Sequence, residues 1–95
     1  MPHLPFATVT EDRDLSAGPT LFYGLQLTST AAGVAEVIIR DGRNATAALV
    51  MRYRVPANET RDLTLSAPIV LRTGLFVDIV ANVAEALVLF EALRD

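Results

Sequence analysis

The only histidine of the chain is His3, held between Pro2 and Leu4. Nucleophilic catalysis by serine needs a base within hydrogen-bond reach, and this single imidazole beside two prolines reads instead as a solvated residue. A zinc site fares no better, with one histidine and no cysteine to draw on. Glu11, Asp12 and Asp14 have the D-x-D spacing from which calcium loops are built. They lack the glycine and the distal glutamate of such a loop, so they read as a solvated acidic segment. Glu85 and Glu91 offer the two carboxylates of a glycosidase, but a sugar cleft needs aromatic platforms and there is no tryptophan; they read as rim carboxylates. No glycine pair has the spacing of a phosphate loop. The sequence therefore predicts no catalytic residue, no cofactor and no metal, and the chain reads as a protein that is not an enzyme.

The remaining candidates are charges that could meet a partner. Arg52 and Arg54 share one strand face, where each could bond a carboxylate across a subunit boundary or form a local ion pair on a solvated strand. Glu11, Asp12, Arg13 and Asp14 form a second charged knot. All eight basic residues are arginines, set against 11 acids for a net charge of -3. Their scatter argues against nucleic acid, whose backbone demands a clustered positive surface.

The elements that carry these residues must fit in 95 residues, one domain's worth. Apolar residues make up 52%, enough to build a core. The longest uncharged stretch, residues 15–35, contains three glycines, Pro19 and Gln26, and its polar residues alternate with apolar ones; it reads as strand and turn, not a membrane span. No basic, then apolar leader opens the chain, so no secretory signal is expected, and the chain is read as soluble.

Residues 1–20 hold three prolines and the acidic knot, a composition that resists helix and central strand, and are expected to form an extended arm ordered against another subunit. Residues 21–95 are expected to form the folded domain. From Leu21 the period is two, with Leu21, Tyr23, Leu25 and Leu27 opposite Phe22, Gly24, Gln26 and Thr28. A hairpin is expected to lead from there into residues 34–40. Asp41-Gly42-Arg43-Asn44 is a turn signal, followed by a strand with Ala47, Leu49, Met51, Tyr53 and Val55 on one face. Short strands are expected at residues 63–66 and 69–71, separated by Pro68, and at residues 75–81. Residues 83–93 could form a strand or a short helix; the strand is preferred because it would close an open sheet edge. Asn44-Ala45-Thr46 and Asn58-Glu59-Thr60 mark exposed turns. The pattern as a whole predicts an all-β fold, a small antiparallel β-sandwich of jelly-roll type. Ile38, Val50, Phe76 and Val80 fall on the second face of their strands, where subunit contacts are expected to cover them.

The runs Leu21-Phe22-Tyr23-Gly24-Leu25-Gln26-Leu27-Thr28-Ser29-Thr30, Val37-Ile38-Ile39-Arg40-Asp41-Gly42, Val55-Pro56-Ala57-Asn58-Glu59-Thr60 and Thr73-Gly74-Leu75-Phe76-Val77-Asp78 follow one another in an order that resembles small all-β virion proteins of tailed bacteriophages. The resemblance covers residues 21–80 and lies in the succession of pieces, each of which is common in β-sandwiches. It implies a capsid decoration or cement protein, made in the host cytoplasm and placed on the particle surface. Such a subunit would assemble as a homo-oligomer, expected to be a trimer, and bridge major capsid protein subunits, with neither nucleic acid nor membrane as partner. It implies no catalytic residues. The alanine-, glutamate- and leucine-rich end departs from the pattern, where a threonine- and glycine-rich strand is usual. The other readings open to the sequence are another particle component at the neck, tail or fibre base, and a glycan- or receptor-binding sandwich module.

Overall fold

The computed structural model describes residues 6–93, all of whose regular elements are strands. In chain order these are β1 (Phe6–Val9), β2 (Arg13–Ala17), β3 (Thr20–Ser29), β4 (Ala35–Asp41), β5 (Ala48–Val55), β6 (Thr60–Leu71), β7 (Gly74–Ala81) and β8 (Val83–Ala92). One sheet has the order β1-β8-β3-β6 and the other β2-β7-β4-β5, every pairing antiparallel. First pairs with last, second with seventh, third with sixth and fourth with fifth. The chain is thus one long ribbon, its tip at the β4–β5 turn, rolled so that successive pairs fall in alternate sheets. That is jelly-roll wiring, and the expected small antiparallel sandwich is what the chain forms.

Each inner face supplies half of the core. Phe22, Leu25, Leu27, Ala86 and Val88 project from the first sheet, and Val37, Ile39, Val55, Leu75 and Val77 from the second; all are buried. The alternation that predicted these strands is real but is interrupted in β3. The register slips between Phe22 and Gly24 on both sides of the strand, so Phe22 turns inward with Leu25 and Leu27, while Leu21 and Tyr23 remain outside. The expected grouping of Leu21 and Tyr23 with Leu25 and Leu27 is corrected by this bulge. Gly24 is required there: its φ is +150°, and a Cβ would run into the Leu63 carbonyl oxygen.

Three further expectations change. Residues 6–17 of the expected arm form β1 and β2, one edge strand for each sheet of this same chain, with Val9 buried in the core; residues 1–5 lie outside the described part. The extended backbone that prolines and acids favour suits a sheet edge as well as it suits an arm, because edge strands tolerate charge. The expected β3–β4 hairpin does not form, since β3 and β4 lie in different sheets. Period-two patterning shows which face is buried but not which strand is the neighbour. Finally, the two short strands at residues 63–66 and 69–71 are one strand, β6, which bulges away from β3 between Thr64 and Ile69 and carries Pro68 where no ladder bond is required. Residues 83–92 are the preferred strand, placed centrally between β1 and β3.

Candidate functional site

The charged candidates separate to the two edges of the second sheet. At the β2 edge, Asp12 accepts the Ile79 backbone N–H at 2.6 Å, which ties the β1–β2 turn to β7. Asp14 receives Arg43 Nε at 3.0 Å. Glu11 and Arg13 are exposed. Asp12 and Asp14 are thus bonded within the chain, and among the described residues no group of three or more His, Asp or Glu side chains is arranged to hold a metal ion.

At the opposite edge, β5 carries Arg52 and Arg54 on its outer face. Their Nε atoms approach the two oxygens of a single carboxylate, Glu36, at 2.9 and 3.0 Å. The sheet register produces this, since Glu36 pairs with Arg54 and Ile38 with Arg52. Glu36 is largely covered at 16% exposure, whereas Arg52 and Arg54 are 48% and 60% exposed. One negative charge is therefore shared between two guanidinium groups, leaving a local excess of one positive charge on the β5 edge.

The expected subunit cover over the second-face apolar residues is corrected at three of them: the register slip opposite Ile39 and Arg40 leaves Val50 packed against the core and Leu49, expected inside, exposed, and Ile38 and Phe76 are covered within the chain. Ile38 is 6% and Phe76 9% exposed within the single chain. Ile38 sits in register between Arg52 and Asp78, and Phe76 between Asp14 and Arg40. Long side chains held in ion pairs shield the apolar groups between them with their methylene stems. The central pair is Arg40 Nε to Asp78 at 3.1 Å, with both side chains 17% exposed, and Arg40 also donates to the Ala47 carbonyl at 2.9 Å. Val80 stays exposed at 47%.

The apolar surface that lacks cover lies on the other sheet, where sequence reasoning did not place it. Leu21, Leu87 and Leu89 face outward from β3 and β8 and are half-buried without joining the core. Leu89 pairs with Phe6 of β1 and Leu21 with Val70 of β6, and Phe6 and Val70 are 65% and 59% exposed. The signal was available in the alternation of Leu87 and Leu89 with Val88 and Phe90, which makes β8 apolar on both sides. Among the described residues, the charged side chains on this outer face are Asp62, Glu85 and Glu91, placed there by their pairing with Gln26, Thr28 and Leu21. Glu91 accepts the Tyr23 hydroxyl at 3.0 Å, and that hydrogen bond, with the nearby carboxylate charge, raises the phenol above its ordinary value of 10.0.

The described residues enclose no pocket, so the geometry offers flat surfaces: an apolar face bordered by acids and an arginine-bearing edge. Compared with protein-family models, characterised proteins and solved structures, the chain matches none.

Proposed function

We propose that this chain is a structural subunit of a phage particle, a decoration or cement protein that binds the assembled shell and stabilises it. The observation that carries the reading is the outer face of the β1-β8-β3-β6 sheet. Its leucines, with Phe6 and Val70, stand exposed or half-buried outside the core, a surface that gains by being covered when copies of such a subunit meet on a shell. The order of sequence pieces over residues 21–80 supports the same reading, as does a rigid jelly roll whose flat faces suit protein contact. Stabilisation of the shell follows from linkage, because a subunit that binds only the assembled state shifts the equilibrium toward it.

The test is to add the purified protein to undecorated phage shells and to follow bound protein by co-sedimentation and shell disruption by heating. Saturable binding with a raised disruption temperature is the expected result. Shells that melt unchanged with all of the protein left in the supernatant would refute the reading. Binding to isolated necks or tails but not to shells would move the protein to another part of the particle.

A further inference from the structure

We infer that the outer face of the β1-β8-β3-β6 sheet docks on the β5 edge of a second copy of this chain, so that Phe6, Val70 and the outward leucines of one copy meet Arg52 and Arg54 of the next. The contact deepens the proposed function and rests on it to this extent: a shell-building subunit is one whose copies meet in a defined way.

Charge selects this pairing over its alternatives. Among the described residues, the charged groups on the docking face are Asp62, Glu85 and Glu91, all acidic, so two such faces brought together would set these carboxylates against one another. Two β5 edges would set Arg52 and Arg54 against their own copies. Only the mixed contact joins opposite signs, and like-charge juxtaposition is an effective means of rejecting the wrong partner. The arginines are prepared for it. Both lean on the single Glu36 carboxylate through Nε, at 2.9 and 3.0 Å, which holds them in place while their terminal nitrogens can bond carboxylates of the neighbour.

The β5 edge also suits the apolar part of the face. Leu49 is 49% exposed, and β5 contains no proline and no acidic residue along its length. An edge strand of eight residues offers a row of unpaired backbone groups to a partner. Of the other edges, β6 carries a bulge and Pro68, and β1 and β2 are short, with four and five residues against eight in β5.

Because the two mating surfaces differ, the contact is heterologous. Each added copy presents a fresh face and a fresh edge, so assembly proceeds beyond a dimer, to a ring where the rotation between copies closes and to an open filament where it does not.

The experiment is sedimentation equilibrium of the full chain at micromolar concentration. The wild type is expected as an oligomer larger than a dimer. Phe6→Lys with Val70→Lys spoils the face, and Arg52→Gln with Arg54→Gln spoils the edge. All four side chains are exposed, and circular dichroism confirms that each variant folds. Each double variant alone is expected to be monomeric, its self-association weakened about tenfold or more. Mixed in equal amounts, they are expected to form a one-to-one heterodimer and nothing larger, since the mixture holds one intact face and one intact edge. A monomeric wild type, an edge variant that still assembles, or a mixture without heterodimer would overturn the inference. The shell assay separates this failure from that of the proposed function. Oligomers that leave shells unaffected would remove the decoration role alone, and a monomer that stabilises shells would remove the contact alone.

Discussion

The Asp41 carboxylate at the end of β4 accepts the backbone N–H of Thr73 at 2.8 Å, and so fastens the ribbon's tip to the β6–β7 turn. The same carboxylate receives the N–H groups of Arg72 at 3.2 Å and Gly74 at 3.4 Å. Partial burial works against its ionisation, but these bonds and the charge of Arg72 outweigh burial and hold it below its ordinary value of 3.8. A lowered folded value means that ionised Asp41 contributes stability fully above the unfolded value of 3.8. That contribution is lost as pH falls through the lower folded value. Asp41→Ala strands the turn's donors and should cost about 1–3 kcal/mol at neutral pH. Urea midpoints measured from pH 7 into strong acid should fall less steeply for Asp41→Asn than for the wild type, and parallel curves would contradict this account.

Gly24 carries the bulge that turns Phe22 inward. Gly24→Ala must either push the Leu63 carbonyl aside or straighten β3, and it should destabilise by about 1–3 kcal/mol. A thermal melt of this variant that matches the wild type would show that the bulge can form without glycine.

The ion pairs on the second sheet should differ in strength according to cover. Asp78→Ala leaves Arg40, 17% exposed, without its carboxylate and should cost about 1–3 kcal/mol. That is below the cost of breaking a fully buried pair, because some solvent reaches the site. Glu59→Ala removes the partner of Arg61, in a pair whose side chains are 44% and 54% exposed, and should change stability by no more than about 0.5 kcal/mol. Urea denaturation of both variants at low and high salt checks the ranking, which an equal loss in the two would reverse.

The Ser29 hydroxyl lies 2.6 Å from the Pro56 carbonyl oxygen and accepts the Glu59 N–H at 3.0 Å, joining the end of β3 to the β5–β6 turn. Ser29 is 6% exposed, so Ser29→Ala takes the partner from two part-buried groups, the Pro56 carbonyl and the Glu59 N–H, and should cost about 1 kcal/mol. The loss should appear as faster hydrogen exchange at Glu59 and in the adjoining turn, and unchanged exchange there would count against it.

Sequence alone determined that this chain is an all-β sandwich. Alternation along β4 and β7 marks strands, and Asp41-Gly42 marks the turn that closes a hairpin within a sheet; these signals are local, so they can be read residue by residue. It also singled out Arg52 and Arg54 as neighbours on a strand face, because a spacing of two fixes that much. The tertiary structure decided the rest. Whether β3 pairs with β4 or with β8 depends on partners far along the chain, and the period is the same in either case. The bulge at Gly24 reverses the facing of Phe22 without any change of residue type. That Glu36 lies beneath both arginines, that Asp78 and Arg40 shield Phe76 and Ile38, and that Phe6 joins Leu89 on an uncovered face all follow from cross-strand register between segments far apart in the chain, which no local pattern specifies.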